Sequence, residues 1–101
     1  MKKYFALKLI PPRATFGQDM TQDERNIMIQ HSAFWKSFMN EGSVVVFGPV
    51  LDPNGVYGLG IICVDNEEQV KDFISKDPAN GLNRYEYYPM LAVVPENKSS
   101  L

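Results

Sequence analysis

Within 101 residues the spacing of apolar side chains changes from every second residue to every third or fourth and back again, twice over. A period of two belongs to a strand with one buried face, and a period near 3.6 to a helix with one buried stripe. In Lys3 to Ile10, Phe5, Leu7 and Leu9 alternate with Tyr4, Ala6, Lys8 and Ile10, which reads as a strand. Pro11-Pro12 stops it, because neither proline can donate to a sheet ladder. A loop of about ten residues then runs to Met20, long enough in so small a domain to invite a functional explanation. Thr21 and Glu24 have the spacing of a capping box, and from there Ile27, Met28, His31, Phe34, Trp35, Phe38 and Met39 fall on one helical stripe until Gly42. Val44 to Val50, the turn chemistry Asp52-Pro53-Asn54-Gly55, and Val56 to Val64 read as a hairpin. Asn66 opens a second helix with Val70, Phe73 and Ile74 inward, ending near Lys76. A last strand is expected within Arg84 to Val94, broken by Pro89.

The order βαββαβ predicts a ferredoxin-like α+β fold, with two helices on one face of an antiparallel sheet. All of it fits one domain over residues 1–95, followed by a flexible tail over 96–101. A single helical layer covers only one face of the sheet. Tyr4, Ala6 and Ile10 lie on the other face, and both parities of the third strand are apolar, so two copies are expected to stack sheet against sheet as a homodimer.

Composition narrows the function classes. Ten Lys and Arg stand against twelve Asp and Glu, scattered along the chain, for a net charge of -2, so no positive face is expected to hold nucleic acid. No apolar run reaches the roughly 18–20 residues that span a bilayer, and the start Met1-Lys2-Lys3-Tyr4 leads into a strand rather than a signal-peptide core, so a cytoplasmic protein with no membrane partner is expected. Cys63 is the one cysteine and His31 the one histidine, which excludes an internal disulfide and the usual zinc ligand set. There is no Gly-rich phosphate loop, serine elbow or metal-spaced carboxylate cluster, and no cofactor is expected.

The residues that could carry chemistry are few. His31 lies in the middle of the aromatic stripe, where it is either a core histidine satisfied by its surroundings or a general acid or base in a water-poor pocket. Asp77 before Pro78 is either a turn-capping residue or the acceptor that orients His31. Arg13, stiffened by two prolines, is either an exposed loop residue or a clamp for an anionic group. Gly48-Pro49 is a strand terminus or a place where a ligand approaches backbone, and Tyr57 and Tyr85 read more readily as sheet packing.

Taken in order, Pro11-Pro12-Arg13, Asp19-Met20-Thr21, Glu24, His31, Trp35, Gly48-Pro49-Val50, Asp52-Pro53, Gly55, Tyr57-Gly58, Asp77-Pro78-Ala79, Tyr85-Glu86 and Pro89-Met90 form a pattern that resembles the YCII-related (YciI-like) proteins. The resemblance spans Lys3 to Pro95. It implies a ferredoxin-like fold that pairs through its sheets into a dimeric α+β barrel, and a His and Asp pair in a pocket, here His31 and Asp77. Proteins of this kind mostly lack an assigned activity, with a lyase-type activity on a substituted aromatic in the wider family. The expectation is therefore cofactor-free acid/base chemistry of lyase, isomerase or hydrolase type on a small anionic or aromatic metabolite. His31 and Asp77 would be catalytic, and Arg13, Trp35, Gly48, Pro49 and Tyr57 substrate-binding. The alternative is a dimeric module that binds a metabolite without turning it over.

Overall fold

The structure, a computed structural model, describes residues 2–95, and the expected tail over 96–101 lies outside the described residues. Strand β1 (Lys3–Ile10) runs up the centre of the sheet and buries Phe5, Leu7 and Leu9. The chain then turns through a four-residue helix, α1 (Phe16–Asp19), where a plain loop was expected. Phe16 accounts for the difference: its ring is buried and draws the segment back onto the domain.

Helix α2 (Gln22–Asn40) starts at Thr21, whose hydroxyl accepts from the Glu24 N–H while the Glu24 carboxylate accepts from the Thr21 N–H. It ends at Glu41, where Gly42 takes a positive φ of 91° and the N–H groups of Gly42 and Ser43 close on the carbonyls of Met39 and Phe38. Strands β2 (Val44–Val50) and β3 (Tyr57–Val64) form the hairpin, and α3 (Glu67–Lys76) is capped by Asn66. Strand β4 (Arg84–Met90) runs through Pro89 rather than breaking there. It pairs with β1 on one side only, and an edge strand is where a missing N–H need not cost a ladder bond.

The strand order β2-β3-β1-β4, with all pairs antiparallel and the helices on one face, is the ferredoxin-like α+β arrangement. Phe5, Leu7 and Ile62 from the sheet meet Trp35 of α2 and Val70 and Phe73 of α3 in a single core. Trp35 is its centre, edge-on to Phe73 at 4.8 Å and against Phe47 at 5.4 Å. Gly60 makes room for it. A methyl group there would lie 2.2 Å from Cζ3 of the indole, so the ring rests directly on the backbone of β3.

Candidate functional site

At the end of the sheet where β1 hands over to α1, a cavity of about 520 Å³ opens between that connection, the β2–β3 turn and the middle of α2. Its wall is mostly apolar, with Leu7, Phe16, Met28 and Phe47 among the contributors, and His31 lies on it beside Trp35. The capping box fixes where α2 begins, and the helical period then turns positions 31 and 35 toward the sheet, one turn apart. The two rings sit 6.0 Å apart.

Behind them is Asp77, its side chain fully buried. Nδ1 of His31 is 2.8 Å from Oδ2 and 3.0 Å from Oδ1. Nε1–H of Trp35 donates to Oδ2 at 3.0 Å and lies 3.1 Å from the Tyr85 hydroxyl oxygen, while the Tyr85 hydroxyl itself donates to Oδ2. The Ala79 N–H donates to Oδ1 at 2.9 Å. A carboxylate that receives donors on every side is a pure acceptor, and the donors must be present for it to stay charged out of water. Burial pushes the Asp77 carboxyl up, and the hydrogen bonds from His31, Tyr85 and Ala79 outweigh it and hold the group below the usual carboxylate range. Burial and the bond to Asp77 push the Tyr85 phenol strongly up, so it remains a hydroxyl donor. With Asp77 accepting only, His31 must carry its proton on Nδ1, which leaves Nε2 as the nitrogen available to the cavity.

Asp77 stands where α3 gives way to the turn that follows it. It ends α3, its N–H bonded to the Ile74 carbonyl, and its carboxylate both closes the turn to Ala79 and meets His31. Tyr85, which reads from sequence as sheet packing, is the partner that sequence reasoning missed. It shares the core-facing parity of β4 with Tyr87, and a phenol turned inward needs an acceptor; that is the signal that could have found it.

Gly48 and Pro49 border the cavity, and a side chain at Gly48 would meet no protein atom within 4 Å, so a ligand has access to backbone there. Tyr57 borders it too, with its ring 4.6 Å below the ammonium of Lys8, on the face of the sheet away from the helices. Arg13 is placed otherwise than as an anion clamp. It is absent from the wall, its Nε donates to Asp19 at 2.8 Å, and its two terminal nitrogens donate to both oxygens of Glu24 at 2.8 and 3.0 Å. A guanidinium committed to two carboxylates has little left to offer a third. Its hydrogen bond, with that of the Thr21 N–H, lowers the Glu24 carboxyl to about 2. Among the described residues no group of three or more His, Cys, Asp and Glu could hold a metal ion, and no helix is long and apolar enough to cross a membrane.

The profile of the YCII-related domain matches residues 9–93 of the chain. A solved structure of an uncharacterized protein from Thermotoga maritima superposes with a TM-score of 0.56 at 12% identity, covering 89% of this chain and 99% of that one, a likeness of fold. No curated protein matches.

Proposed function

Because the chain belongs to the YCII-related family, whose domain it carries from residue 9 to 93, we propose that it is a small-molecule enzyme working by cofactor-free acid/base chemistry, with His31 as the proton-transferring group. One observation carries this reading: a histidine on the wall of a mostly apolar cavity has one nitrogen on a buried carboxylate and the other left for a ligand. That is the arrangement of an oriented base, in which the carboxylate sets the tautomer and stabilises the imidazolium formed when Nε2 takes a proton. A histidine needed only for packing would not call for a carboxylate receiving three side-chain donors behind it. Trp35 and Tyr85 act through Asp77, holding it where His31 needs it. Proton abstraction and return, as in elimination or isomerisation, uses all of these groups and requires no nucleophile.

The test is turnover of a panel of small ring compounds by the wild type and by His31→Gln, read as product or as deuterium taken up from heavy water. The expected result is conversion of at least one compound by the wild type and its loss in the variant. Compounds that raise the melting temperature of both proteins and are converted by neither would make this a metabolite-binding module instead.

We also propose that two copies pair through the face of the sheet away from the helices. Val46, Leu59, Tyr88 and Met90 are exposed on it, with Val46 at 56% and Tyr88 at 55%. A face with this much apolar surface is costly in water, and a pairing of this kind should bury more than about 1,000 Å² in total. Sedimentation at micromolar concentration should give about twice 11.5 kDa. A monomer there would reject the pairing.

A further inference from the structure

Beside the cavity that His31 faces, the Lys8 ammonium stands over the ring of the wall residue Tyr57, on the face of the sheet away from the helices. Among the described residues the cavity wall itself contains neither Lys nor Arg. The arginine nearest to it in sequence, Arg13, lies between wall residues Pro11 and Ala14 but turns away to Asp19 and Glu24. Behind His31 and Trp35 sits a fixed negative charge, the buried Asp77 carboxylate. An anion entering here would leave water for apolar walls and approach a like charge, and a buried charge without a partner is among the costliest things a site can hold. The polar groups that do reach the wall, including Ser32 and Asn83, are uncharged.

We propose that this cavity takes an uncharged, largely apolar ring compound and excludes the carboxylate or phosphate of the same ring. The volume of about 520 Å³ suits a small organic molecule of that kind. Specificity comes from repulsion by Asp77 and from the missing counter-charge more than from any added contact. The substrate class deepens the proposed function, and rests on it only for the chemical step. In that step an O–H, N–H or C–H bond of the neutral ligand breaks, its electron pair stays on the ligand, and Nε2 of His31 takes the proton. The imidazolium so formed, bonded through Nδ1 to Asp77, stands beside the anion that the step creates.

Matched pairs of one ring, benzamide with benzoate and cinnamamide with cinnamate, test this on the full chain at neutral pH. Trp35 is the only tryptophan and lies on the wall, so its fluorescence reads occupancy directly. The expected result is an amide dissociation constant at least about tenfold below that of the carboxylate. Leu51→Arg, at a rim position that is 79% exposed, should tighten the carboxylates severalfold and leave the amides unchanged. His31→Gln separates this inference from the catalytic one: the amide preference should persist in it, since it arises from the wall and Asp77. Carboxylates binding the wild type as tightly as amides, no binding of either class up to about 10 mM, or loss of the preference in His31→Gln would overturn the inference, whatever turnover shows.

Discussion

Two clusters of charged and polar side chains lie along α2, one at its N-terminus and one at its middle, and they differ in what they leave unsatisfied. At the N-terminus Arg13, Asp19 and Glu24 close on one another, with Thr15 and Thr21 completing the ring of donors. This cluster is largely solvated and spends its donors internally, so it ties the β1–α2 connection to the helix start. At the middle His31, Trp35 and Tyr85 converge on one buried carboxylate, and His31, whose Nδ1 meets that carboxylate, also lines the cavity. The first cluster contains more formal charge. The second, because it is dry and directional, is the one suited to chemistry.

Replacing Asp77 should have the largest effect on this contrast. Asp77→Ala removes the acceptor shared by the Trp35 and Ala79 N–H groups, the Tyr85 hydroxyl and His31 Nδ1, and removing one partner from a buried polar cluster of this kind costs about 3–5 kcal/mol. Urea unfolding should show that loss. Next, Gly60→Ala pushes a methyl group into the indole of Trp35 and should cost about 1–3 kcal/mol, with a changed near-ultraviolet dichroism from the displaced ring. Tyr85→Phe keeps the ring and loses one donor to the carboxylate, for about 1–2 kcal/mol and a melting curve that stays cooperative.

The smallest effect belongs to the outer cluster, and it is one of pH. Glu24 is held at about 2 against an ordinary 4.5, so its contribution to stability is present above 4.5 and is lost as pH falls from there toward 2. Arg13→Ala should flatten the part of the stability profile that Glu24 supplies in that window. Equal slopes in the two proteins would show that the pair contributes nothing when solvated.

How far the molecule is legible from sequence follows the range of each interaction. The ends of β1, the capping box at Thr21, the stop at Gly42 and the cap at Asn66 are all written within a few residues, and each stands where the local pattern puts it. Helix α1 was not legible, because its anchor is the burial of one side chain, Phe16, which belongs to no periodic pattern. Pro89 reads as a strand breaker until the sheet order places it on an edge. His31 could be turned inward by helical period alone, whereas its meeting with Asp77 spans 46 residues and depends on the packing of two helices on one sheet. Arg13 shows the converse. Its chemistry suggested an anion, and the anions it found were Asp19 and Glu24, brought to it by the short helix that the sequence did not announce.

The central claim is that His31 is held as the Nδ1–H tautomer by Asp77, with Nε2 free for a ligand, and the chain makes that directly measurable because it contains one histidine. Nitrogen-15 spectra of the imidazole, recorded above the pH at which the ring loses its charge, distinguish a protonated from an unprotonated nitrogen at each position. The expected result is a protonated Nδ1 with a long-lived, strongly hydrogen-bonded proton, and an unprotonated Nε2 whose signal moves when a cavity ligand is added. A neutral ring protonated at Nε2, or one exchanging freely between both forms, would contradict it.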